Sequence, residues 1–252
     1  MALKQWMLAN IADNKGSLLT PDEQARVFCL SADWIRFLSL PDHDTVLLRD
    51  TVAAVEGARQ LEMVYPAPEH VHRWSYLCPP EQVRVVIVGQ DPYCDGSASG
   101  LAFGTLASRP PPPSLNNVFR ELARTVDGFQ RPASGCLDAW ARRGVLLLNT
   151  VFTVVHGQPG SHRHLGWQTL SNHVIRRLSE RREHLVFMLW GADAHTCEYL
   201  IDRRRHLVLK SCHPSPRNTT RAFVGNDHFI LANAYLDTHY RETMDWRLCV
   251  GD

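Results

Sequence analysis

Four short runs of apolar residues punctuate the chain: RVVIVG (84–89), VLLLNTV (145–151), LVFMLW (185–190) and LVLKS (207–211). Each is continuous rather than alternating apolar with polar. A strand with one wet face alternates, whereas one covered on both faces need not, so these runs predict buried strands of a parallel sheet. Between them the apolar spacing shifts to threes and fours. In SLNNVFRELARTV (114–126), Leu115, Val118, Phe119, Leu122 and Val126 form one stripe, and Ser114 offers a hydroxyl as N-cap. In GWQTLSNHVIRRLSERR (166–182), Trp167, Leu170, Val174 and Leu178 do the same, and ADAHTCEYLID (192–202) predicts a further helix after the third strand. Strand and helix alternate. The predicted fold is a three-layer α/β/α arrangement with a central, short, mostly parallel twisted sheet of four strands. The pattern up to about residue 80 is mostly helical and is expected to pack on that core, making residues 1–252 a single domain.

Open parallel sheets bind their ligands beyond the carboxyl ends of the strands. Those ends carry Gln90 and Asp91 after the first run, Asn149 in the second, Gly191 after the third and His213 after the fourth. A carboxylate, an amide, a bare backbone and an imidazole should therefore converge on one cleft. Taken singly, each has an ordinary explanation: Asp91 precedes a proline and suits a turn, His213 suits a satisfied polar site, and Asn149 suits a strand end. Their coincidence at four strand ends is what the ordinary explanations leave over.

Composition narrows the picture. With 252 residues and 44% hydrophobic content, one large domain with a sizeable core suffices. No apolar run approaches the ~20 residues of a membrane span, and MALKQWMLANIADNK at the start reads as neither a secretory nor a mitochondrial signal. Seven scattered cysteines without a C-x-x-C pair point to reduced thiols, most of them small core residues, rather than a disulfide framework or a metal cluster. Net charge is +1, yet residues 156–221 hold 11 Lys and Arg against 5 Asp and Glu. That excess suits either a face for polyanions or the wet side of helices.

GQDPY (89–93), GLAF (100–103), PPPPS (110–114), LLLN (146–149), MLWG (188–191) and HPSP (213–216) follow one another in this order. Together they resemble the family-1 uracil-DNA glycosylases, and among these the herpesvirus versions, over residues 83–246. GQDPY with a downstream HPSP is the specific part, whereas a proline run alone more often marks a linker. The resemblance implies a monofunctional, metal-independent and cofactor-free enzyme. It would flip uracil out of DNA and hydrolyse its N-glycosidic bond, leaving an abasic site for base excision repair. It implies Asp91 and His213 as catalytic residues. Asp91 would stabilise the sugar cation and orient or deprotonate the attacking water, while His213 would donate to uracil O2 as a neutral imidazole. Gln90, Tyr93, Phe103 and Asn149 would bind the base. Asn149 would read N3–H and O4, Tyr93 would fill the space beside C5 where thymine has a methyl, and Phe103 would stack on the ring. Pro113, Ser114, Gly191, Ser215, Arg217 and Arg221 would contact DNA, with the backbone N–H of Gly191 left open to a phosphate. The implied partners are uracil-containing single- and double-stranded DNA, viral replication proteins and DNA-mimic inhibitor proteins. The implied setting is a monomer in the host nucleus, away from membranes.

The chain departs from the family pattern in three places. Cys94 follows GQDPY where histidine is usual, Ala192 follows Trp-Gly where serine is usual, and Arg217 follows HPSP where a leucine usually fills the vacated base stack. Either Arg217 or the pair Phe223 and Val224 would then supply the wedge. HGQPGSHRH (156–164) matches no zinc spacing and reads as a mobile surface loop with a structural role. Two rival functions stand beside the glycosylase: a metal-dependent phosphohydrolase using Asp91, Asp95 and His213, and a non-catalytic DNA-binding module.

Overall fold

The computed structural model describes residues 19–218 and 223–248. Three helices open the described chain: α1 (Pro21–Phe28), α2 (Ala32–Leu38) and α3 (Asp42–Leu61). The first is started by a capping box. Thr20 Oγ1 accepts the Glu23 N–H while the Glu23 carboxylate accepts the Thr20 N–H. Strand β1 (Val64–Tyr65) and helix α4 (Arg73–Leu77) lead into β2 (Val85–Gly89), which is followed by α5 (Pro113–Thr125), α6 (Asp138–Arg142) and β3 (Val145–Asn149). Then come β4 (Val154–Val155), α7 (Gln168–Arg181), β5 (Val186–Trp190), α8 (Ala192–His195), β6 (Leu207–Ser211) and α9 (His228–Tyr240).

The central sheet runs β3-β2-β5-β6 with every pair parallel. The three-layer α/β/α arrangement expected from the apolar runs is present. Strands β2, β3 and β5 are buried along their whole length, as their continuous apolar runs require. The fourth differs: β6 is at the sheet edge, and Lys210 is exposed there, paired to Glu198 at 2.5 Å. At the opposite edge β3 is fully covered, whereas β6 is only partly so, and its apolar run overstated its burial. A separate two-stranded ladder pairs β1 with β4 antiparallel and ties the N-terminal segment to the loop after β3.

Two helix boundaries depart from expectation. Helix α5 begins at Pro113 with Pro112 in the capping position, so Ser114 sits inside the first turn rather than capping it. Proline at the first positions tolerates the missing N–H, which is why the proline run could replace a hydroxyl cap. The segment 192–202 forms only the single turn α8 and a short 3₁₀ turn, Glu198–Leu200. There the Thr196 hydroxyl donates to Asp193 O at 2.6 Å, a local bond that competes with helix propagation.

One hydrophobic cluster extends from Val27 to Leu248 and takes in Trp34, Leu48 and Trp74 together with the sheet. Helices α2 and α3 pack on α7, and α9 packs on β5 and β6. Buried indoles keep their N–H groups satisfied: Trp34 donates to Cys78 O at 2.8 Å and Trp140 to Trp246 O at 2.9 Å. Of the thiols in described residues only Cys78 and Cys197 are fully buried, so the expectation that most cysteines are core residues fails; Cys249 lies outside the described residues.

The loop after β2 is held on this frame with little tolerance. Gly100 has φ +82°, and a Cβ there would lie 1.7 Å from His70 O. Gly100→Ala is therefore expected to lower stability by more than ~2 kcal/mol, since both backbone strain and a backbone clash oppose it. A thermal melt unchanged from wild type would show that the loop has more room than this packing allows.

Candidate active site

The parallel register brings the strand ends to one level: Gly89 pairs with Asn149 and Trp190 with Ser211. Beyond β2 the chain is tied to the end of β3. The Thr150 N–H donates to Gly89 O at 3.1 Å, the Val151 N–H to Gln90 O at 3.0 Å, and the Thr150 hydroxyl to the same oxygen at 2.9 Å. These bonds fix the backbone from which Asp91 projects.

Asp91 faces a cleft of about 340 Å³. Its Oδ2 accepts the Gly160 N–H at 2.6 Å. Burial pushes the carboxyl above its ordinary range, the Gly160 N–H and the Arg163 guanidinium pull it back, and the Asp193 carboxylate pushes it up again; the net shift is upward. Arg163 and Asp193 themselves form an ion pair at 2.5 Å.

Asn149 is 6% exposed at the end of β3, and its amide is engaged by no described residue. It lies over Gly89, where a Cβ would come within 2.5 Å of Asn149 Oδ1. Tyr93, half-buried overall, donates its hydroxyl to Phe103 O at 3.3 Å. Burial, then the nearby Asp95 carboxylate, push its phenol upward, so it remains an O–H. Phe103 holds a left-handed φ of +64°, uncommon for an aromatic residue, and its ring lies 5.6 Å from that of His213 and 5.3 Å from that of Trp190.

His213 carries a proton whose position the backbone decides. Its Nδ1 accepts the Ser215 N–H at 3.0 Å, so the neutral ring holds its proton on Nε2. Burial pushes its pKa down against a pull from Asp193, which favours that neutral form. Gly191, with φ +104°, makes room for it: a Cβ there would meet His213 Cβ at 3.0 Å.

Gln90, Asp91, Tyr93, Phe103, Pro113, Ser114, Asn149, His213, Ser215 and Arg217 all line this one cleft, together with Cys94. Gly191 stands behind His213 instead. Its N–H, expected to be open to a phosphate, is already donated to Ser211 O at 3.0 Å because the backbone there continues the sheet ladder, so its contribution is steric. Arg221 lies outside the described residues. Of the two proposed wedges, Phe223 is only 4% exposed and packs edge-on against Trp190 at 4.9 Å, committed to the core. Arg217 is exposed at the lip.

Other expectations shift. The 156–164 segment is no peripheral loop: Pro159 lines the cleft, Gly160 holds Asp91, and His162 is buried with its Nδ1 2.8 Å from the Thr153 hydroxyl. The Pro-Gly turn that presents this N–H was the available signal. The basic excess of 156–221 is largely structural, with Arg177 on Glu180, Arg203 on Glu198, Arg204 on Asp202 and Arg205 on Glu183. Asp95 turns its carboxylate to the Ser97 N–H and hydroxyl, at 2.9 and 2.6 Å. Among the described residues no three His, Cys, Asp or Glu side chains gather as metal ligands.

Residues 75–237 match the family model of the uracil DNA glycosylase superfamily. The chain is 48% identical to the uracil-DNA glycosylase of human herpesvirus 7 (strain JI) over 250 residues, 98% of each chain. It is 47% identical to that of Epstein-Barr virus (strain B95-8) over 222 residues, 85% of this chain and 87% of that one. In three dimensions it is similar to mimivirus uracil-DNA glycosylase, with a TM-score of 0.81 at 24% identity over 92% of this chain and 90% of that one. A mimivirus UNG Y322F structure in complex with UGI aligns with a TM-score of 0.79 at 25% identity, over 86% and 88%.

The electrostatics around Asp91 give a signed expectation. Asp91 should titrate above the ordinary ~3.9, Arg163→Gln should raise it further, and Asp193→Asn should lower it, as read by carboxyl carbon NMR. Because the folded-state pKa is the higher one, ionising Asp91 costs stability as pH rises through it. Asp91→Asn should therefore raise the melting temperature at neutral pH and not below pH ~3.9. A lower melting temperature at neutral pH would contradict the assignment.

Proposed function

The chain belongs to the uracil DNA glycosylase superfamily, and from that premise we propose how its own residues excise the base. The activity is release of uracil from DNA by hydrolysis of the N-glycosidic bond. The supporting observation is the meeting in one cleft of an Asp91 carboxylate, an unengaged Asn149 amide, the Tyr93 ring and an Nε2–H on His213.

Breaking this bond puts positive charge on the sugar and negative charge on the departing uracil. A site that stabilises both ends as they develop lowers the barrier most. Asp91 supplies the negative charge beside the sugar. Its raised pKa also suits it to take a proton from the water that attacks C1′. His213 supplies the donor: its Nε2–H meets O2 as the ring becomes an anion, and a neutral imidazole gives that hydrogen bond without delivering a full charge. The bond to uracil breaks, the water oxygen bonds to C1′, and the water proton passes to Asp91.

Asn149 discriminates by polarity. Its oxygen accepts N3–H and its NH₂ donates to O4, whereas cytosine presents the opposite polarity at both positions. Tyr93, held by Phe103 O, closes the space beside C5 to a methyl group, and Phe103 stacks on the flipped ring. The first turn of α5, with Pro113 and Ser114, offers N–H groups and a hydroxyl to a phosphate, and Ser215 offers a second hydroxyl. With Phe223 in the core and the half-buried Val224 outside the cleft lining, Arg217 is the residue that enters the emptied stack. In this reading no step draws on a metal ion or on strand cleavage, which describes a metal-independent, monofunctional glycosylase. A DNA-mimic inhibitor protein is a further partner in this reading, as the mimivirus UNG complex with UGI supports. The enzyme's place of action in this reading is the host nucleus.

Free uracil should be released from single- and double-stranded uracil oligonucleotides in excess EDTA, leaving an intact abasic strand. Loss of release on chelation would sink the metal-free mechanism. Asp91→Asn should slow release by about 10²–10⁴-fold while DNA binding persists. Near wild-type turnover in that variant would remove Asp91 from catalysis.

Specificity offers a separate check. Tyr93→Ala should release thymine from ordinary DNA, and Asn149→Asp should release cytosine, both measured by chromatography of the freed bases. Strict uracil specificity in both variants would overturn the steric and polar gates.

A further inference from the structure

Helix α5 does more than deliver Ser114 to the cleft. Asn117 donates its Nδ2 to Pro214 O at 2.8 Å. One turn further on, Glu121 Oε2 accepts the Gly225 N–H at 2.7 Å and Oε1 accepts the Asp227 N–H at 2.8 Å. These backbone groups are the two feet of the segment 213–227, the one that carries Ser215 and Arg217. A single face of α5 therefore grips the segment at both ends.

The Glu121 carboxylate is 0% exposed, which obliges the protein to surround it with donors. Arg124 supplies two, at 3.1 Å from Nε and 2.8 Å from Nη2, and also reaches the Asp227 carboxylate. The other two are the N–H groups of the segment's distal foot. Gly225 and Asp227 both hold positive φ, +99° and +58°, so the backbone bends sharply where the carboxylate meets it. A buried carboxylate whose partners were all within its own helix would be plain scaffolding. This one has half its partners at the base of the segment that faces DNA.

We propose that Glu121 is a positioning residue for base flipping. With Asn117 it ties Pro214 and the Gly225 and Asp227 backbone, on either side of Arg217 in the chain, to the helix whose first turn carries Ser114, so that Arg217's entry into the stack and α5's grip on a phosphate are backed by one helix; residues 219–222 lie outside the described residues. The proposal rests on the excision function above. Anchoring of this kind matters only where a stack must be opened and filled. In single-stranded DNA there is no vacated stack and the base is already loose, so excision there needs the catalytic groups, His213 among them, but not the Glu121 tie at Gly225 and Asp227, which is remote from His213 along the chain.

The test compares release of uracil from double- and single-stranded oligonucleotides by wild type, Glu121→Gln and Glu121→Asp. Glutamine keeps the shape but turns one acceptor into a donor facing an N–H, so at least one foot bond is lost. Aspartate keeps the charge for Arg124 but draws it back by one methylene. Each variant should lose about tenfold or more in kcat/KM on duplex, the scale expected of a small misplacement, and less than about twofold on single strands. Amide hydrogen exchange at Gly225 and Asp227 should accelerate in both. Combining Glu121→Gln with Arg217→Ala should cost no more on duplex than Arg217→Ala alone. Equal losses on both substrates, no loss on either, or additive losses in the double variant would overturn the proposal. Should glutamine prevent folding, as far-ultraviolet circular dichroism would reveal, the aspartate variant decides by the same criteria. Failure of wild type on both substrates would instead strike the excision function itself.

Discussion

Parallel pairing of β2 with β3, residue for residue from Val85–Val145 to Gly89–Asn149, is the constraint on which the cleft depends. It places the amide of Asn149 beside the backbone that turns out to Gln90 and Asp91. Glycine at position 89 is what lets that amide lie so close. On the other side, β2 pairs with β5 and β5 with β6, so Gly191 and His213 emerge at the same level. A slip of one residue between any two strands would turn the apolar runs inside out and separate the groups by several ångströms. The continuous burial of three strands forbids such a slip. Hydrophobic packing thus sets the geometry of the cleft, through register rather than through contact between the core and the groups that line it.

The same frame opposes what it holds. An ionised carboxylate is costly in so enclosed a place, and burial acts on Asp91 in that sense. The structure offsets this partly, with one short N–H bond from Gly160, while the Arg163 cation is shared with Asp193. Saturating the carboxylate with donors would make it comfortable and a poor base. Glu121 shows the contrast: fully buried where Asp91 is half-buried, it has four donors, and Arg124 and the backbone hold its pKa down against burial. Two acids in one protein are therefore tuned apart by their donors.

Much of this was legible along the chain because it is local or periodic. The four runs mark the strands to within a couple of residues, since continuous apolar sequence and full burial are the same fact seen twice. The convergence of Asp91, Asn149 and His213 follows from parallel topology alone. What stayed hidden depends on contacts between residues far apart in sequence. The Pro-Gly turn at Gly160 marks a presented N–H but not its partner Asp91, and nothing near Glu121 announces a partner at Gly225. Phe223 looked as suitable a wedge as Arg217 until Trp190 claimed it. The arginines of 156–221 looked like a polyanion face because their acidic partners are set by the fold.

Two of the three departures from the family pattern, Cys94 and Arg217, line the cleft, and Ala192 does not. In the proposed function Gln90, Asp91, Tyr93, Asn149 and His213 would face the base and sugar, whose shape and polarity admit few alternatives. Cys94 and Arg217 would face the DNA chain, where many groups can serve a phosphate or fill a gap. Arginine is physically suited to the latter post. Its three-carbon stem can lie against stacked bases as an alkyl wedge does, its planar guanidinium can stack or donate, and its charge stays near the phosphates. A long, flexible wedge loses more rotamer freedom on insertion than a leucine does, roughly 1 kcal/mol more. A backbone already fixed beneath it adds no ordering cost of its own to that loss. A chain with arginine at the lip therefore needs its stem held more firmly than one with leucine, and the double grip of Asn117 and Glu121 answers that need.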